Sequence, residues 1–142
     1  MDSEIFLAVL MRWLHVGSAM ILLGCPLYYR LGLAGAGRDL GSDQLQRLYD
    51  EASANFRPWV WGASVALVVA GLYNFLNKPA IPSGYHAWFG VKVLLALHVL
   101  AVSLLNTRAG VDPAKRNRWM HGVAVSGMAL VAISAYLRWL SR

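Results

Sequence analysis

The chain has 142 residues, of which 58% are hydrophobic and only 14% are charged. Soluble domains carry about a quarter charged residues, so the composition excludes an ordinary water-soluble globule and points to lipid as the solvent. The net charge of +6 does not point to nucleic acid either, because the basic residues gather in the connections between apolar runs, as a membrane-side fringe does.

The first apolar run covers residues 5–28. At a rise of ~1.5 Å per residue, about twenty residues cross a ~30 Å hydrocarbon core, so this run is read as a spanning helix. The opening Met1-Asp2-Ser3-Glu4 lacks the basic region of a signal peptide, and the run is too long for the apolar part of one, so it is expected to be retained. Cys25, the sole cysteine, excludes an internal disulfide or a multi-cysteine metal site and reads as inert packing. Gly32, Gly35, Gly37 and Gly41 are expected to interrupt the helix.

Residues 42–56 place Leu45, Leu48, Tyr49, Ala52 and Phe56 at helical spacing. They predict a short amphipathic helix on the membrane surface, capped by Ser42 or Asp43. Pro58 suits the first turn of a second span over residues 59–76. A short loop with Pro79 and Pro82 leads to a third span over 88–106. Asp112 as N-cap and Pro113 at the first helical position open a helix whose apolar part, residues 119–140, is the fourth span. Tyr28, Tyr29, Trp59, Trp61, Trp88, Trp119 and Trp139 sit near the ends of these runs, as an aromatic belt does. The prediction is a single all-α domain, an up-down four-helix membrane bundle.

Charge sets its orientation. One side carries Arg30, Arg38, Arg47 and Arg57 in the first connection and Arg108, Lys115, Arg116 and Arg118 in the third. The other has Lys78, Arg138 and Arg142, with Arg12 near that rim. The excess of positive charge faces the cytoplasm, which puts both termini on the outer side.

Ionisable groups inside a span are costly, at about 2.5–3.5 kcal/mol each on insertion scales, and normally have a partner in the bundle. Arg12, His15, Lys92, His98 and His121 are such groups, with His86 at the rim. His15 lies ten residues past Ile5 and His98 ten past Trp88, so both sit ~15 Å deep from the outer face. Two histidines at matching depth on helices 1 and 3 can hold the iron of a b-type haem. Ser18 and Ala19 beside His15, and Ala101 beside His98, leave room for a flat macrocycle. Arg12 shares the face of His15 and, with Lys92, could meet the propionates. Two other readings stay open. Met11, Met20 and His86 supply thioether and imidazole for Cu(I), and membrane histidines also simply hydrogen-bond between helices. On helix 3, Lys92, Ala96, Val99, Ser103 and Asn106 step by four and three residues, a small and polar stripe expected to face another helix.

Arg12-Trp13-Leu14-His15 with its glycine-bearing continuation, Gly71-Leu72-Tyr73-Asn74 closing the second run, and Gly90, Lys92, Asn106 and Arg108 around the third together resemble the copper-resistance D (CopD) domain. That resemblance implies a bacterial-type inner-membrane protein associated with copper uptake or resistance. The architecture is also similar to the HemJ-type protoporphyrinogen oxidases, small four-helix proteins that bind haem b. Leu14-His15, Trp88 and Lys92 match that pattern. The later helix-3 histidine of that family falls on Ser103 here, and His98 comes earlier.

The expectation is therefore a CopD-like protein holding haem b through His15 and His98 for electron transfer within the membrane. A copper module and a haem-free accessory subunit of a larger complex are the alternatives; as an enzyme it would be a HemJ-like oxidoreductase. Its partners are the bilayer and either copies of itself or a larger membrane assembly, and not nucleic acid. The seven acidic residues all lie outside the spans, which leaves hydrolytic chemistry without support.

Overall fold

A computed structural model describes residues 3–77 and 84–140. Lys78, Arg142 and the two loop prolines lie outside that range. The described residues are helical with no strand, and four helices are each long and apolar enough to cross a membrane. They are α1 (Ser3–Ala36), α2 (Ser42–Leu76), α3 (Tyr85–Asn106) and α4 (Pro113–Leu140).

Two of these helices run further than the sequence pattern suggests. The glycines after Tyr28 do not stop α1. Residues Tyr28–Leu33 form a π-helical stretch, and the Ala34 N–H bonds to the Tyr29 carbonyl five residues back. The stretch follows Pro26, whose missing N–H already interrupts the ordinary ladder. Likewise residues 42–56 are not a separate surface helix. They continue through Pro58 into the second span as one helix of 35 residues. Its N-cap is Gly41 and makes no side-chain cap bond, while Asp43 falls in the first turn. At α4 the expected cap is present: Asp112 Oδ2 accepts the Lys115 N–H at 3.0 Å, and Pro113 is the first helical residue.

α1 packs along α2 and α3 along α4, and the two pairs meet mainly through α1 with α4 and α2 with α3. The buried cluster of Leu22, Tyr29, Leu33, Tyr49, Val60, Ala63, Val99, Met120 and Val123 lies towards the end of the bundle that carries the two basic connections. At the opposite end Phe75 and Phe89 stack at 4.5 Å, and Trp88 meets Tyr136 edge-on at 5.4 Å. Large apolar side chains cover the outside, with Trp13, Met20, Leu94 and Met128 all at least 69% exposed. Such continuous apolar exposure is unfavourable in water and natural in lipid. Trp59, Trp61, Trp88 and Trp139 are exposed as a belt requires, but Tyr29 is buried. It has left the belt because its hydroxyl has a partner inside, Ser53, at 2.7 Å.

Candidate functional site

His15 is held in α1 by its position on the inner face of a continuous helix. Its imidazole lies against Gly71 of α2, and a methyl group at Gly71 would come within 3.3 Å of the ring. Nδ1 of His15 is buried and makes no hydrogen bond of ordinary geometry, although the Leu67 backbone of α2 lies near enough to act on the ring. A buried ring nitrogen without a well-formed hydrogen bond is costly, and it is the sort of group that a ligand or cofactor satisfies. Lys92 of α3 lies near enough for its charge to act on His15. Lys92 belongs to the stripe that the sequence turns inward, whereas His98, which the sequence offered as the partner of His15, does not.

His98 sits elsewhere. It is exposed, and its Nε2 approaches Gly122 of α4 at the distance of ordinary contact, 3.7 Å from where a methyl there would lie. The two rings thus pack on different helices, and α1 and α3 touch over only a short stretch. The stripe on α3 does face the interior: Val99, Ser103 and Asn106 are buried, and Lys92 and Ala96 are half-buried. Arg12 is exposed, Met11 is half-buried, and His86 stands exposed in the first turn of α3. Among the described residues no three His, Cys, Asp or Glu side chains gather in a way that could hold a metal ion. Cys25 is half-buried against the core cluster.

The largest polar construction is at the other end, and it centres on Arg116. This side chain is completely buried. Its Nη2 donates to Asp50 Oδ1 at 2.9 Å and to the Arg108 carbonyl at 3.1 Å. Its Nη1 donates to the carbonyls of Tyr49 and Asn106, both at 3.2 Å. The Asp50 carboxylate also accepts the Gly110 N–H at 3.2 Å and the Gln46 amide at 3.0 Å. Gly110 reaches it through a left-handed turn, φ +73°, a conformation that suits glycine. Arg57 donates twice to the Thr107 carbonyl, at 2.8 and 3.2 Å. The guanidinium thereby satisfies carbonyls left free where α3 ends and the chain turns into α4. The network ties α2 and the end of α3 to the start of α4.

A small cavity of about 10 Å³ lies next to it, lined by Tyr29, Ser53, Ser103, Asn106 and Met120 among others. Asn106 Nδ2 donates to Met120 Sδ at 3.4 Å. A second, open pocket of about 640 Å³ is formed at the rim by Arg30, Ala114, Asn117, Arg118 and His121. There Arg30 Nη1 and His121 Nδ1 are in hydrogen-bond contact.

No protein-family model matches the chain, and no curated protein or solved structure is significantly similar to it.

Proposed function

We propose that this protein is a CopD-like inner-membrane bundle that holds a b-type haem between α1 and α3 and passes electrons within the membrane. The observation that carries the proposal is the Nδ1 of His15, buried beside Gly71 with only the Leu67 backbone near it and no hydrogen bond of ordinary geometry. An imidazole kept apolar on one side and without a well-formed hydrogen bond at a ring nitrogen is chemically suited to an axial position. His98 would be the second ligand in this reading, which requires α3 to turn, because His98 is exposed and packs against Gly122 of α4. Lys92, whose charge already acts at His15, and Arg12 would balance the propionates. When bound, the haem supplies a one-electron couple. The chain's own part is to fix the imidazole, exclude water and supply positive charge. Both termini lie on the outer side in this reading, with the basic connections in the cytoplasm.

The test is an absorption spectrum of detergent-purified protein, produced with ample haem, in oxidised and dithionite-reduced forms. The wild type is expected to show a Soret band with sharp reduced α and β bands. His15→Ala is expected to lose them, and His98→Ala to convert the spectrum to a five-coordinate type. A featureless wild-type spectrum overturns the reading.

A further inference from the structure

We propose that the rim pocket of Arg30, Asn117, Arg118 and His121 is a phosphate site, and that it holds the headgroup phosphate of an anionic phospholipid. The pocket is open, and its lining contains two guanidinium groups, an amide and an imidazole but no carboxylate. α1 contributes Arg30 from the π-helical stretch, and the first turns of α4 contribute the rest. π-helical turns frequently mark functional positions.

Arg30, Arg118 and His121 are exposed and stand together around this pocket. Arg30 Nη1 can donate to His121 Nδ1 only while the imidazole is neutral. The pocket thus gathers groups that are cationic when protonated, with no acid in its lining. Several other cations have partners of their own. Arg116 has Asp50 and three carbonyls, and Arg57 has the Thr107 carbonyl. Lys115 lies over the Trp119 ring, 4.9 Å from its centroid. An anion between Arg30, Arg118 and His121 offsets that charge. The planar guanidinium fork matches the geometry of two phosphate oxygens, and Asn117 adds a neutral donor.

Position selects the lipid as the source. Arg30 follows the apolar run of α1, and His121 begins that of α4. Tyr28, half-exposed, and Trp119 lie next to them, and such rings sit at headgroup level. A basic pocket between membrane helices at that level is suited to anionic headgroups. This inference is independent of any haem at His15.

The experiment measures lipid retention by native mass spectrometry, and thermal unfolding, of detergent-purified protein with added phosphatidylglycerol, phosphatidylcholine or inorganic phosphate. The wild type is expected to prefer phosphatidylglycerol over phosphatidylcholine by roughly tenfold. Arg30→Gln/Arg118→Gln is expected to lose that preference, whereas Arg47→Gln, an exposed basic residue outside the pocket, keeps it. If the double variant does not fold, Arg118→Gln alone gives the same comparison. Equal retention of both lipids by the wild type overturns the site. An equal loss in Arg47→Gln overturns it too, since diffuse surface charge then explains the preference. Full stabilisation by inorganic phosphate without any lipid preference supports phosphate chemistry and overturns the lipid assignment.

Discussion

Arg116 of α4 and Asp50 of α2 are joined at 2.9 Å, with the arginine side chain fully buried and the aspartate 28% exposed. Removing one partner of a buried pair leaves an uncompensated charge, which typically costs about 3–5 kcal/mol. Arg116→Leu removes the charge and also frees the carbonyls of Tyr49, Asn106 and Arg108. Asp50→Asn leaves the guanidinium three carbonyl acceptors and an amide oxygen, at a site partly open to water. Reversible unfolding in mixed micelles is therefore expected to rank Arg116→Leu well below Asp50→Asn, with a loss of about 3 kcal/mol or more for the former. Equal losses would show that the salt bridge, not the carbonyl network, dominates.

Arg116 also shows what could be read from the sequence and what could not. The four apolar runs, the Asp112 cap and the inward stripe of α3 follow from composition and helical period, and all of them appear in the structure. Arg116 was one basic residue among several in a connection. Yet Arg116, Met120, Val123 and Gly127 step by four, three and four and are all buried, whereas Lys115 and Arg118 lie off that stripe and are exposed. The helical phase set by Pro113 was sufficient to single it out. What no periodicity reveals is the register between helices. That Gly71 would face His15, and that Asp50 would meet Arg116, depends on how α2 slides against its neighbours. The continuity of α1 through Gly32 and Gly35 was hidden for another reason: glycine lowers helix propensity locally by only about 1 kcal/mol, and packing of Tyr29 and Leu33 in the core overrides it.

Gly71 and Gly62 lie on the same helix in different surroundings. A methyl group at Gly62 meets nothing within 4 Å, whereas one at Gly71 meets the His15 ring at 3.3 Å. Gly62→Ala is expected to stabilise by about 0.4–1 kcal/mol through the lower entropy of the unfolded chain. Gly71→Val forces the imidazole aside and is expected to cost about 1–3 kcal/mol. In protein loaded with haem it should also shift or abolish the Soret band, which Gly62→Ala should leave in place. Thermal unfolding and absorption of the two variants side by side check both statements.

Tyr29 and Ser53 share a hydrogen bond of 2.7 Å between α1 and α2, and the Tyr29 ring stacks on Tyr49 at 5.8 Å. Both residues are buried, so each hydroxyl loses its partner when the other is removed. Tyr29→Phe and Ser53→Ala are each expected to cost about 1–2 kcal/mol. The double variant leaves neither hydroxyl stranded and should lose less than the sum of the two. Strict additivity in a double-mutant cycle would show that the two side chains are energetically independent.

At Gly127, α4 lies against Leu23 of α1. A methyl group there would overlap the end of the Leu23 side chain and lie 3.3 Å from its Cγ. Gly24, the next residue along α1, is exposed with open space around it and serves as the control outside this contact. Leu23 is half-buried and can rotate away at a modest cost. Gly127→Ala should therefore destabilise by about 1 kcal/mol, and Gly127→Leu by up to about 3 kcal/mol, because the larger side chain must part the helices. Shortening the opposing residue relieves the clash. Leu23→Ala/Gly127→Ala is expected to be more stable than the sum of its single variants predicts, with favourable coupling of at least about 0.5 kcal/mol. Gly24→Ala, measured in parallel, should be neutral or slightly stabilising. If Gly24→Ala proves as damaging as Gly127→Ala, the contact between Gly127 and Leu23 is not what makes the added methyl group costly.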